Sequence, residues 1–349
     1  MQIHYFLCQS SSFPLVAHIV TMPINKCDVG LIPALGQREE VSSIAKRINA
    51  VIAINGSNYR RGGKFNGSRL NLFYFDRQIY SDLQFMRGSF GWDSRKKVAT
   101  IDKMFLSVSL FIDQYPCKVD QINQPRLAGQ SVIYTGVADK FLLQHTAGKN
   151  IVVDSSGIVQ DITFAGPETI PSNWFIYQVD KDSLPNVHKG MRADFLCKVK
   201  SAENNKIYNG CDFIIGGAGM LLQNGTVVSE QLYDEFSQGI EVVHCHDEVA
   251  ADFHTRKMQE WLIEQRHPRT AIGITTKNEI CIVVVDGRQS GSEGLSLHEL
   301  AELMKSFDCV SALNIGGGGC STLCINKKII NSPSAGEERP VSEAICFFQ

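Results

Sequence analysis

Four short segments of this 349-residue chain combine residue types that do chemistry. Asp286 ends the apolar run "ICIVVVD" and is followed by Gly287 and Arg288. A carboxylate at a strand end above a glycine turn either faces a cleft or caps its own loop. "HPRTAIG" (267–273) sets His267 and Arg269 around a proline-fixed backbone just before a strand. Such an arginine can clamp a phosphate or carboxylate bidentately, and the histidine can exchange a proton or hydrogen-bond. The plain alternative is a surface loop. "AINGSNY" (53–59) places Asn55 at another strand end, as a ligand contact or a turn residue. "GEERPVS" (336–342) offers Glu338 and Arg339, at a site or in a salt-bridged loop.

A fifth segment is "LNIGGGGCST", where Gly316, Gly317, Gly318 and Gly319 sit between Asn314 and the polar trio Cys320, Ser321 and Thr322. Consecutive glycines cost backbone entropy that an ordinary turn does not demand. The run has neither the GK[ST] of a P-loop nor the spacing of a dinucleotide fingerprint. It can still present backbone N–H groups to an anion. Cys320 as a nucleophile would need a base such as His267 within reach. The group His244, His246, Asp247 and His254 suggests a metal, but its spacing matches no zinc motif and no metal is assigned.

These segments need elements to hold them. "VAHIVTM" and "CDVGLIPAL" read as early strands, "EEVSSIAKRINA" as a short amphipathic helix and "VIAIN" as the strand after it. From about 95 to 210 the chain reads as successive short strands and turns, a mostly β insertion or subdomain. A polar connector comes next, at 230–266. The last ninety or so residues are the best patterned: a hairpin turned at Lys277-Asn278, a helix started by a Ser296/Glu299 capping box, the strand "CVSALNI", a second hairpin in "TLCINKKIIN" and a final strand "AICFF".

Composition removes several classes. Hydrophobic residues make up 44% and charged residues 20%, an ordinary globular balance, and net charge is −2. No basic patch supports nucleic-acid binding. No apolar run approaches the roughly 18–20 residues of a membrane span. The 11 cysteines lie singly, several of them in apolar strands, and the first 22 residues hold no Lys or Arg, unlike a signal peptide. The expectation is a reduced, cytoplasmic protein.

In order and spacing, "AING", "IGGAGMLLQNG" (215–225), "HPRTAIG", "VVVDGR" (283–288), "LSLHELAELM" (295–304), "LNIGGGGCST" and "GEERPVS" resemble the phosphodiester glycosidase family. The resemblance implies one strand-rich mixed α/β (α+β) catalytic domain over residues 1–349. It implies hydrolysis of a sugar-1-phosphodiester, of the N-acetylglucosamine-1-phosphodiester type, to free sugar and phosphomonoester. The partner would be a small-molecule or glycan substrate with a sugar-phosphate group, and no cofactor is implied. Arg269, Arg288 or Arg339 would hold the phosphate and Asn55 the sugar. Asn314, the three later glycines, Ser321 and Thr322 would form the pocket floor. A carboxylate would serve the oxocarbenium-like centre: Asp286 first, Glu338 second, with His267 beside them. Two departures stand out. The family usually reads Asn-Leu-Asp-Gly-Gly-Gly-Ser-Ser-Thr at the glycine run, and here Gly316 replaces the aspartate and Cys320 the first serine. After "AING", Ser57-Asn58-Tyr59 replaces the expected Gly-Phe-Phe. A homologue that binds without hydrolysing, and a different hydrolase using Cys320, are the alternatives.

Overall fold

The computed structural model describes residues 3–61, 66–81, 86–138, 148–166, 169–237, 243–246, 249–251 and 256–349, the stretches 243–246 and 249–251 as backbone only. The chain is strand-rich, 46% strand against 13% helix, so mostly β describes it better than a balanced α/β fold. No helix among the described residues is long and apolar enough to cross a membrane.

The sheet that carries the site has seven antiparallel strands in the order His4–Gln9, Val16–Pro23, Glu279–Val285, Arg269–Thr275, Cys309–Gly317, Met220–Gln223 and Thr226–Val227. Its centre is the expected hairpin, turned at Lys277-Asn278 with Asn278 at φ 58°. Asn tolerates that left-handed conformation because its short polar side chain can bond locally. Ile280 to Val285 are fully buried, since both faces of the strand are covered. That is why the run is continuously apolar instead of alternating.

Helix Leu297–Ser306 covers one face. The Ser296 hydroxyl accepts from Glu299 N–H at 3.1 Å and the Glu299 carboxylate accepts from Ser296 N–H at 2.9 Å, the reciprocal cap expected from spacing. Its Leu297, Leu300, Ala301 and Met304 share a core with Ala271, Val283 and Ala312 of the sheet. The other face meets Phe73, Phe90, Trp92 and Phe213 of a third sheet, and Ile52, Ile54 and Ile345 of a second.

That second sheet runs Lys328–Ile329, Leu323–Ile325, Ile52–Asn55, Glu343–Phe348, Asp28–Pro33. Helix Val41–Arg47 packs Val41, Ile44 and Ala45 on it. Residues 95–210 hold strands and turns and, among the described residues, no helix. Strand Val98–Ile112 pairs with Arg87–Asp93 as well as with Ala193–Ser201, so this stretch shares a sheet with the segment before it.

Three elements depart from expectation. Strand His4–Gln9 has mostly exposed side chains and so no alternating pattern to read. Helices Leu232–Ser237 and Arg256–Glu264 lie inside the stretch read as a connector; the first has only 6 residues and the second is polar on average. The segment "KFLLQH" and the candidate ligands Asp247 and His254 fall outside the described residues. His244 and His246 lie on strand Val243–His246. Among the described residues no group of three or more His, Cys, Asp or Glu could hold a metal.

Candidate active site

The site forms where neighbouring strands end together. Arg269 opens its strand opposite both Val285 and Gly317, so the residues after Val285 and the glycine run emerge side by side. Thr270 pairs Gly316 while Ala271 pairs Asn314, which leaves Ile315 as an extra, bulged residue. A bulge bends its strand and re-aims the next residues, here the glycines. The second sheet is sewn to this edge by Asn55. Its Oδ1 accepts from the Thr270 hydroxyl at 2.7 Å and from Thr322 N–H at 3.2 Å, and its Nδ2 donates to the Gly56 carbonyl at 3.0 Å.

Between these edges lies a cavity of about 220 Å³. Five arginines line it, Arg61, Arg87, Arg269, Arg288 and Arg339, with the amides Asn58, Asn71 and Asn314 and the aromatics Tyr59, Phe236 and Trp261. Among the described residues its lining contains no aspartate or glutamate.

Each arginine is held differently. Arg269 is 1% exposed and spends its guanidinium on backbone carbonyls: Nε to Leu295 at 2.8 Å, Nη2 to Leu262 at 2.8 Å and to Gln265 at 3.0 Å. Burial without a carboxylate partner, helped by Arg288, pulls its pKa down to about 9. It braces helix Arg256–Glu264, and with it Trp261, against the strand edge. Arg87 donates to the Glu235 carbonyl and lies over Phe236, 5.2 Å from the ring centroid. Arg288, at φ 60°, donates through Nη2 to His267 Nδ1 at 3.2 Å. Its pKa is lowered by burial first and then by Arg339 and Arg61. A left-handed arginine at such a place is backbone strain held by its surroundings.

The glycines make room for these cations. Gly318 has φ 64°, a conformation that suits glycine, and a side chain there would start 3.4 Å from the Arg288 guanidinium. A Cβ on Gly319 would fall 2.3 Å from Arg339 Nη2. Arg339 therefore lies directly on the backbone, where any larger residue would push it off.

His267 is neutral. Its Nε2 faces the Trp261 carbonyl at 2.9 Å and must donate to it, so Nδ1 accepts from Arg288. Burial, Arg269 and Arg288 lower its pKa to about 4, while the bond to Trp261 opposes them. Its ring lies 4.3 Å from that of Trp261, centroid to centroid. Asn314 donates to the Ala218 carbonyl at 2.9 Å, but its Oδ1, in a side chain 1% exposed, has no partner. An unpaired buried acceptor on a cavity wall is a position for a ligand donor.

Of the residues singled out from sequence, His267, Arg269, Arg288, Asn314, Gly317, Gly318 and Arg339 line the cavity, and so does Cys320. Asp286, Glu338, Asn55, Gly319, Ser321 and Thr322 do not. The Asp286 carboxylate, 5% exposed, is taken by His18 Nε2 at 3.2 Å, Asn331 Nδ2 at 3.2 Å and Ser332 N–H at 2.9 Å. Tyr5 hydroxyl closes the chain on His18 Nδ1 at 2.8 Å. The expected principal carboxylate is thus a loop anchor in this structure. Glu338 accepts from Ser42 N–H at 2.8 Å, at the first turn of helix Val41–Arg47, where a carboxylate favours the unpaired N–H groups. Asn55 is fully buried and, with Oδ1 and Nδ2 both bonded within the protein, presents nothing to a sugar. Ser321 and Thr322 are buried behind the glycine turn with unpartnered hydroxyls.

Sequence reasoning missed Arg61, Arg87, Trp261, Asn58 and Asn71. Only Arg61 gave a signal, the arginine pair in the turn-rich "NYRRGG". It also missed Glu343, which is wholly buried behind the wall. Its carboxylate accepts from Ser57 N–H at 3.0 Å and pairs with Arg69 at 2.9 Å; burial raises its pKa against the pull of Arg69. Cys320 Sγ stands 3.4 Å from the Tyr59 hydroxyl and 4.0 Å from Arg339 Nη1, and the His267 nitrogens are both engaged elsewhere.

Comparison with known proteins agrees with the fold and with the family resemblance. A Bacillus subtilis SPbeta prophage-derived uncharacterized protein, YomE, is 35% identical over 92 residues, 26% of this chain and 14% of that protein. The mouse N-acetylglucosamine-1-phosphodiester alpha-N-acetylglucosaminidase is 30% identical over 121 residues, 35% of this chain and 21% of the enzyme. This chain thus matches only a minor part of either relative's length. A hypothetical protein from Synechocystis shares the fold, with a TM-score of 0.73 over 98% of this chain and 61% of its own, at 17% identity. The phosphodiester glycosidase model matches residues 148–348, more than half of the chain, which therefore belongs to the phosphodiester glycosidase family.

Proposed function

We propose that this protein hydrolyses the glycosidic bond of a sugar-1-phosphodiester, of the N-acetylglucosamine-1-phosphate type, releasing free sugar and a phosphomonoester. The observation that carries the reading is a cavity lined by five arginines, with no carboxylate in the lining among the described residues. That electrostatic setting suits an anionic substrate and suits its leaving group better still.

In the reaction the bond between C1 and the phosphate oxygen breaks and its electron pair stays on oxygen. The phosphate then carries a second charge. Arg288 and Arg339 face that developing charge, and fixed cations aimed at where charge develops lower the barrier. Water adds to C1 and gives up a proton, which a phosphate oxygen can accept, because the second pKa of a phosphomonoester lies near 6. A strong general acid is not required. His267 is neutral, and through Nδ1 it positions Arg288. Asn314 Oδ1 is available to accept from a sugar hydroxyl.

A second reading has a specific observation behind it. Gly316 stands at the family's usual aspartate, and the space its Cβ would take lies 2.9 Å from Asn55 Nδ2 and from the Gly56 carbonyl. The position has closed around the glycine, as in a protein that binds a sugar phosphate without cleaving it. Sugar release from an N-acetylglucosamine-1-phosphodiester separates the two. The hydrolase reading expects release by the parent protein and its loss in Arg339→Gln. No release by the parent, with the sugar phosphodiester still bound in calorimetry, would establish the binding reading instead.

A further inference from the structure

We propose, resting on the same reading of the cavity, that the anionic head of its ligand carries two negative charges: the diphosphate of a glycosyl diphosphate diester, or a phosphomonoester group. A simple phosphodiester, with one charge, would leave the site under-neutralised.

Among the described residues, three of the five arginines have no carboxylate to balance them. Arg269 is committed to backbone carbonyls, and Arg87 to the Glu235 carbonyl and the Phe236 ring. Arg61, Arg288 and Arg339 remain. Among the described residues none of these three makes an ion pair, and the cavity lining supplies no carboxylate. They sit near enough for Arg339 and Arg61 to disfavour the charge on Arg288. A cluster of like charges held without counter-charge is costly in a partly buried site. Gly319 keeps the Arg339 guanidinium in place by leaving room for it.

The oxygen count points the same way. A guanidinium presents a planar fork of donors that pairs bidentately with phosphate. A diester offers two non-bridging oxygens to three such groups. A phosphomonoester offers three, and a diphosphate diester four, with twice the charge. The opposite polarity lies elsewhere on the wall, where the buried Asn314 Oδ1 lacks a donor. A neutral, hydroxyl-bearing group belongs there and the anion belongs with the three arginines, so the ligand's orientation is fixed as well.

The test is calorimetric binding at constant ionic strength and about pH 8, where a phosphomonoester is a dianion. The probes are dimethyl phosphate, with one charge, and methyl phosphate and P1,P2-dimethyl diphosphate, with two each. Both dianions should bind about tenfold or more tightly than dimethyl phosphate, because a second charge adds a full Coulomb interaction with each cation. Arg61→Gln and Arg339→Gln should each shrink that ratio, and the surface change Lys96→Gln should leave it alone. The tighter of the two dianions says whether a diphosphate or a terminal phosphate is the native head. Equal affinity for all three probes, no heat from any, or a ratio untouched by both arginine variants would overturn the proposal. Sugar release from a simple diester without a dianion preference would keep the hydrolase reading and reject this inference. A dianion preference without sugar release would do the reverse.

Discussion

Two polar regions lie at the same sheet edge and could hardly be built more differently. Around Asp286 every group is answered: Tyr5, His18, Asn331 and Ser332 close on one another. Beside it, Arg61, Arg288 and Arg339 converge with no counter-charge among the described residues, next to an unpaired Asn314 oxygen. A satisfied buried network rigidifies and stabilises. An unsatisfied one costs stability and persists where a ligand completes it. The difference teaches which polar residues to credit with chemistry: those whose bonding is unfinished within the protein.

The comparison can be broken by exchanging the effects. Arg339→Gln should lower kcat/KM for a cleaved sugar phosphodiester by about 100-fold or more, the scale of losing one fixed transition-state donor, with little change in urea midpoint. Should the midpoint fall and the activity of the folded protein survive, the two regions would have been assigned the wrong way round. Asp286→Ala should do the opposite. It takes one hydrogen-bond partner from each of His18, Asn331 and Ser332 and should cost about 1–3 kcal/mol in urea unfolding, a sizeable part of a domain's stability.

Gly319→Ala sharpens the same contrast without touching a charge. The new methyl meets the flexible end of Arg339 first, so the fold should hold while kcat/KM drops by roughly tenfold, the effect of about 1.4 kcal/mol in the barrier. An unchanged rate would show that Arg339 need not lie on the glycine backbone.

A further effect is expected in pH. His267 has its pKa lowered from 6.5 to about 4 in the folded protein, so folding favours its neutral form. Its contribution to stability is complete above pH 6.5 and is lost as pH falls toward about 4. Urea unfolding measured across that window should show the decline, and His267→Gln should flatten it. An unaltered slope in the variant would remove His267 as its source.

Much of the scaffold was legible in the chain. The hairpin at Lys277-Asn278, the Ser296/Glu299 cap and the strands at 309–317 and 343–348 stem from local pattern and turn chemistry, because their determinants lie within a few residues of one another. Strand His4–Gln9 was not, since its exposed side chains carry no burial period. Half of the site was legible too. The motifs that gave His267, Arg269, Arg288, Asn314 and Arg339 do meet at one cavity.

The sequence by itself determined most of the strands of the last ninety residues, where they turn and that arginines lie close to their glycine-rich ends. Only the tertiary structure decided what each polar group does. Asp286 looked like the site's carboxylate because it ends a strand above a glycine. Its bonding is set by His18, 268 residues away in the chain, and by Asn331, 45 away. Likewise Arg61, Arg87 and Trp261 reach the cavity from a loop, a strand and a helix that carry no motif. Charge and hydrogen-bond satisfaction are sums over neighbours in space. Residue type and spacing restrict those sums, but only the folded chain sets which neighbours enter them.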